Sequence, residues 1–188
     1  MDKGRGKEST PALITRRQGL FTLGAVAAMG LARSALAKGA GGNAGDVAIL
    51  NAALALEFQA IAAYQVGAES TLLEKPVLDL AVQFQGHHKA HASALTVAVE
   101  NSGGVAVESK TIADYAFPVD QLKSQADVLR FAAGLEKAAA SAYVSSLANL
   151  RQKSLIKGAA AILGDETMHW AVLLNALGEN PVPAAFIS

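Results

Sequence analysis

The chain has 188 residues, 52% of them apolar but only 5% aromatic, and no cysteine. That length suits one domain with a sizeable core; the apolar set, rich in alanine, leucine and valine, favours packed helices over a β-sandwich; disulfides and thiolate metal sites are excluded. The formal charge of zero is unevenly spread. Residues 1–37 carry six basic and two acidic residues, a net +4, and the remainder a net −4, so the body has no basic patch for nucleic acid.

Residues 1–18 are polar and basic and include Arg16-Arg17. An apolar stretch runs from Gly19 to about Leu31, followed by the small-x-small run Ala35-Leu36-Ala37. This is the layout of a secretory signal peptide cleaved after Ala37. Arg16-Arg17 ahead of a Gly/Ala-rich core resembles a twin-arginine signal, although Gly19 stands where phenylalanine is most usual. The expectation is an exported, periplasmic protein carried already folded by the twin-arginine translocase. Stable membrane insertion after cleavage is not expected, because the apolar run is short for a span and Arg33 interrupts its end. Residues 38–45 then read as a flexible linker, 46–178 as the folded body and 179–188 as an extended tail.

Four helices are expected in the body. Asp46 is the expected N-cap of the first, which runs to about Ala68 with Ile49, Leu50, Ala53, Leu56, Ala60, Ile61 and Tyr64 at helical spacing. Pro76 suits the first turn of a second helix reaching about Asn101, where Gly103-Gly104 stops it. Residues 103–123 form a long crossover. Ser124, with Asp127 three residues on, opens a third helix to about Leu150. The fourth runs from about Ser154 to Leu177, with Gly178 as its stop. Two helical hairpins joined by one long crossover make an all-α four-helix bundle.

The body repeats itself. Glu57 and Glu136 are each followed seven residues later by a tyrosine, Tyr64 and Tyr143. His91 lies 34 residues after Glu57 and His169 lies 33 after Glu136, each with a leucine four residues on. Positions three apart share a helix face, so Glu166 and His169 act together, as do His88 and His91. An unpaired carboxylate in a bundle core is costly enough to force its protonation, and a bound cation removes that cost. The candidate metal ligands are therefore Glu57, His88, His91, Glu136, Glu166 and His169. Gln85-x-x-His88 is a competing frame for the second helix. His87 points about 100° away from His88 and reads as a surface or interhelix residue. Tyr64 and Tyr143 read first as core aromatics, and otherwise as hydrogen-bond partners of ligand carboxylates. Trp170, Phe58, Phe84 and Phe131 read as packing.

This pattern resembles the ferritin-like di-iron carboxylate superfamily, with one Glu on each of two helices and Glu-x-x-His on each of the other two. Glu57, Glu136 and Glu166-x-x-His169 match; in the second helix His88 stands where a glutamate is expected. The resemblance implies a mono- or dinuclear metal site, with iron first and zinc or manganese as alternatives. The exchange leaves three Glu and three His, a net −3 instead of −4, and raises the standing of metals that favour imidazole. Two function classes follow: oxidoreductase chemistry with oxygen or peroxide, or a non-catalytic metal-binding or stress-related protein of the cell envelope. Alanine-rich helix faces also allow a homodimer.

Overall fold

The computed structural model describes residues 43–187. The expected signal peptide, with Arg16, Arg17 and Ala37, and most of the expected linker lie outside the described residues. Four α-helices follow: α1 (Ala44–Glu69), α2 (Lys75–Asn101), α3 (Gln125–Leu147) and α4 (Lys153–Ala176). Two single 3-10 turns, Ile112–Tyr115 and Val119–Gln121, interrupt the crossover, and no strand occurs among the described residues. The all-α bundle of two hairpins with one long crossover is thus found as expected. Packing is close within each hairpin, α1 on α2 and α3 on α4, and sparser between hairpins.

Local chemistry sets the ends of these helices. Pro76 sits in the first turn of α2, where its missing N–H leaves no bond unmade. At the other end Gly103 takes a left-handed φ of 78°, and a Cβ on Gly104 would stand 2.5 Å from the Val47 side chain, so only glycine lets the crossover pass α1 this closely. Ser124 caps α3 by accepting the Asp127 N–H at 3.2 Å, while the Asp127 carboxylate accepts from the Lys123 N–H and the Ser124 hydroxyl. Gly178, at φ 71°, turns the chain so that the Glu179 N–H closes on the Leu174 carbonyl. The crossover is pinned to α1 by the Asn51 amide, which donates to the Val105 carbonyl and accepts from the Val107 N–H, both at 2.9 Å.

The first helix corrects one expectation. Its N-cap is Asn43, not Asp46, and the helix begins three residues earlier. Asp46 is fully buried in the first turn and accepts the backbone N–H groups of Arg151, at 3.0 Å, and Gln152, at 3.3 Å. Those donors belong to the α3–α4 turn and have no helical partner of their own, so the carboxylate is worth more there than at its own helix start.

Apolar packing divides into two layers. At one end Leu50, Ala53 and Leu54 of α1 meet Ala92, Leu95 and Val99 of α2, Tyr143 of α3, and Ala159 and Ile162 of α4. At the other, Tyr64 meets Ala81, Phe84, Leu129, Ala133 and Leu173, with Trp170 packed against them. Phe58 packs on the first layer, and Phe131 meets Phe117 of the crossover edge to face. Between the layers lie Glu57, His88, Glu136, Glu166 and His169, all buried. α1 is long and apolar enough by composition to cross a bilayer; in the bundle its Asp46 and Glu57 are buried among protein partners.

Asp46→Ala leaves two backbone donors unpaired and should cost about 2–3 kcal/mol, read as a lower denaturant midpoint, with Asp46→Asn costing less. An unchanged midpoint would show that the turn does not depend on this carboxylate.

Candidate metal centre

Each of the four helices brings its candidate residues to the same level. Glu57 from α1, His88 and His91 from α2, Glu136 from α3, and Glu166 and His169 from α4 converge in the layer between the apolar ends. Their donor atoms fall into two overlapping groups: Glu57, His88, His91 and Glu166 in one, and His88, Glu136, Glu166 and His169 in the other. Within each group the donor atoms lie within 4.8 Å of one another.

The two halves are related by the repeat. The first hairpin supplies Glu57 and His91, whose Oε2 and Nδ1 are 3.5 Å apart. The second supplies Glu136 and His169, whose Oε1 and Nδ1 are also 3.5 Å apart. Glu166 stands between them, with Oε1 3.1 Å from His91 Nδ1 and Oε2 3.9 Å from His169 Nδ1. A carboxylate so placed offers one oxygen to each half.

Several of these atoms have nothing to bond to. Buried side-chain polar atoms without a hydrogen-bond partner, among the described residues, are His91 Nδ1, His169 Nδ1, Glu136 Oε2, both oxygens of Glu166, and Gln152 Nε2. Five of the six belong to the candidate ligands. His91 Nδ1 is close to Glu166 Oε1 yet off the line that a hydrogen bond requires. Orphaned buried groups cost about 1–3 kcal/mol each, and nitrogen and oxygen donors converging this closely without hydrogen bonds are what a cation satisfies once it displaces the protons they hold. The donor set therefore fits a metal of the oxygen- and imidazole-binding class.

The tyrosines cross over. Tyr64 of α1 donates to Glu136 Oε1 of α3, and Tyr143 of α3 donates to Glu57 Oε1 of α1 at 2.6 Å. Each hairpin thus braces the other's carboxylate. Burial and the facing carboxylates, Glu136 for Tyr64 and Glu57 for Tyr143, push both phenols well above their ordinary value, so they remain donors. Phe84 stacks on the His169 ring at 4.0 Å and helps to fix its plane.

His88 is at the centre, but not as a simple ligand. Its Nδ1 is 2.8 Å from Glu57 Oε2 and its Nε2 is 3.2 Å from Glu136 Oε1, so both nitrogens already face carboxylates, one from each hairpin. Gln85 lies apart from that constellation: its amide donates to the Ile61 carbonyl and to Gln65, and accepts from Lys89. One turn before His88, α1 presents to Gln85 the Ile61 carbonyl and the Gln65 side chain instead of carboxylates, and Gln85 is not among the converging donors.

Asp165 joins the site although it has no counterpart in the sequence repeat. Its Oδ2 lies 3.2 Å from His91 Nε2 and 3.3 Å from His169 Nε2, behind the two imidazoles whose Nδ1 atoms face the centre. A carboxylate there fixes ring orientation and tautomer. Its spacing of four from His169 was the available signal. His87, expected as a surface or interhelix residue, is part-exposed and reaches across to α4, 2.9 Å from His169 Nε2 and 3.2 Å from Asp165.

Residues 45–179 match the ferritin-like domain family. The chain belongs to that family. Among solved structures, a conserved hypothetical protein from Mycobacterium tuberculosis is similar at a TM-score of 0.65 and 25% identity, over 76% of this chain and 96% of that one. A ferritin-like, diiron-carboxylate protein from Bacillus anthracis has a TM-score of 0.58 and 24% identity, over 70% of this chain and 94% of that one, a likeness of fold. No curated protein sequence matches the chain.

Proton binding in this ferritin-like layer is strongly redistributed. Burial lowers His88, but hydrogen bonds to Glu136 and Glu57 outweigh it and hold its pKa at about 10. His91 is likewise lowered by burial and raised more by Glu166 and Glu57, to about 9. Burial lifts Glu166, and Glu136 beside it adds to this against the pull of His91, giving about 8. Burial also raises Glu57 and Glu136, but there the surrounding histidines win and both fall below the usual carboxylate range.

The sign for stability follows. His88, His91 and Glu166 hold protons more tightly folded than unfolded, so their contribution is complete below their ordinary values and is lost as pH rises through about 8, 9 and 10. Glu57 and Glu136 contribute above the ordinary value of 4.5 and lose that contribution as pH falls. The melting temperature of chelator-treated protein should therefore decline from neutral pH towards pH 10, while affinity for a divalent cation, which must displace those protons, rises over the same window. A melting temperature that climbs over that range would contradict this assignment.

Proposed function

We propose that this ferritin-like protein holds two metal ions, iron in the first instance, in the layer between its apolar ends, and that it is an oxidoreductase acting on oxygen or peroxide. The observation that carries the reading is the set of five orphaned donor atoms distributed over two halves that share Glu166. Glu57, His91 and Glu166 would hold one ion, and Glu136, His169 and Glu166 the other. His88 joins either group once it gives up an N–H. Three protein donors on each side leave positions for a small exogenous ligand. A bound iron pair supplies the electrons for reduction of oxygen or peroxide. The chain's own part is electrostatic and geometric: the two tyrosines hold Glu57 and Glu136 in place, Asp165 orients the imidazoles, and the apolar layers above and below keep water out.

Metal analysis of purified protein should give two ions per chain. Glu166→Gln should lower affinity in both halves by more than the roughly 10–100-fold that loss of an outer partner costs, whereas Glu57→Gln should weaken one ion only. Aerobic turnover of ferrous iron or of peroxide by the reconstituted protein tests the chemistry.

The position of His88 favours a second reading. An imidazole binds one metal through one nitrogen where a carboxylate would bridge two, which favours a zinc- or manganese-binding envelope protein without turnover. Stoichiometric zinc and no redox response would select it.

We further propose that the protein is exported folded by the twin-arginine route. Arg16-Arg17 and the Ala35-Leu36-Ala37 run support this. Mature protein from the envelope fraction should begin at Lys38 by mass spectrometry, and a cytoplasmic, full-length product would refute it.

A further inference from the structure

Outside the buried layer, a second group of donors stands at the α2–α4 seam. His87 Nδ1, Asp165 Oδ2 and His169 Nε2 form a triangle with sides of 2.9, 3.2 and 3.3 Å. A divalent cation at a bond length of about 2.1 Å can cap such a triangle from just above its plane. Two nitrogens and one oxygen suit a first-row transition ion. All three donors lie on helices, with His87 on α2 and the other two four residues apart on α4, so the group is held by rigid elements.

Side-chain exposure falls steadily along this group towards the centre. It is 36% for His87, 22% for Asp165 and 14% for His91, then 2% or less for His169, Glu136 and Glu166. The apolar layers close the bundle above and below, whereas α2 and α4 meet only sparsely. A line of polar atoms thus runs from solvent to the buried carboxylates through this seam.

His169 belongs to both ends of that line. Its Nε2 is a corner of the triangle, and its Nδ1 faces Glu136 and Glu166. A neutral imidazole has one lone pair, so the ring serves an outer or an inner cation, not both at once. Asp165 is shared in the same way, being either a corner of the triangle or the carboxylate behind His91 and His169. Occupancy outside and full occupancy inside therefore exclude each other, which is the behaviour of a transit position and not of a third resident site.

From this we infer that His87, Asp165 and the outer nitrogen of His169 form an acceptor site that captures a divalent transition-metal ion at the α2–α4 seam and passes it to the buried centre. The inference rests on the reading of that centre as a metal site. Stopped-flow mixing of the full, chelator-treated chain with cobalt(II), followed by visible absorption and ended by elemental analysis, tests it. Removing the outermost donor in His87→Ala should slow loading about tenfold, on the scale of other lost outer partners, and leave the final metal content unchanged. His87→Asp, which restores a donor, should recover most of the rate. Loading of His87→Ala at the wild-type rate overturns the acceptor site and leaves the inner centre standing. Equal slowing in His87→Asp shows that the ring acts through packing and overturns it too, as does a lower final content, which would make His87 an inner ligand. Wild-type protein that takes up no cobalt refutes both sites.

Discussion

Three carboxylates lie between two apolar layers, and their charge has to be answered inside the protein. Each of Glu57, Glu136 and Glu166 is almost completely removed from solvent, where an isolated ionised carboxylate is costly enough to give up its charge. The bundle answers with three histidines and two phenols drawn from all four of its helices, and the answer is incomplete by five atoms. That shortfall is what a bound cation would make good. It also explains the two directions of shift within one cluster: Glu57 and Glu136 take the hydrogen bonds and stay ionised, while Glu166, left with bare oxygens, keeps its proton to higher pH.

The rest of the fold holds this layer level. A helix carries a buried glutamate at mid-length only if apolar residues on both sides of it anchor the helix, and α1 does so with Leu50 and Leu54 before Glu57 and Tyr64 after it. The long-range ties act on the same register. Asp46 fastens the start of α1 to the turn before α4, and Asn51 fastens α1 to the crossover, so α1 cannot slide by a turn without breaking bonds far away in sequence.

Much of this could be read from residue spacing. Pro76, Gly103, Ser124 with Asp127, and Gly178 mark helix ends through local chemistry, which a sequence displays directly. The convergence of Glu57, His88, His91, Glu136, Glu166 and His169 followed from the repeat. What spacing could not give was direction across the bundle. Asp46 resembles a cap because its partners, Arg151 and Gln152, are more than a hundred positions away. Leu56 sits in the expected stripe yet is only partly buried, whereas Leu54 is completely buried, because α1 is apolar on nearly every side and its stripe is poorly marked. Asp165 is not marked by the repeat, because one of the two imidazoles it faces, His91, lies on another helix.

The crossed tyrosines carry a further meaning. Glu57 and His91 come from one hairpin, Glu136 and His169 from the other, yet each hairpin's glutamate is held by the opposite hairpin's tyrosine. A lone hairpin would hold half the candidate ligands and lack the phenol that its own glutamate needs. Two copies of one hairpin, paired about a twofold axis, would supply both. The chain is laid out as such a pair made continuous by the crossover, and continuity releases its two halves from identity. Glu166 on one side and His88 on the other are where that freedom has been used.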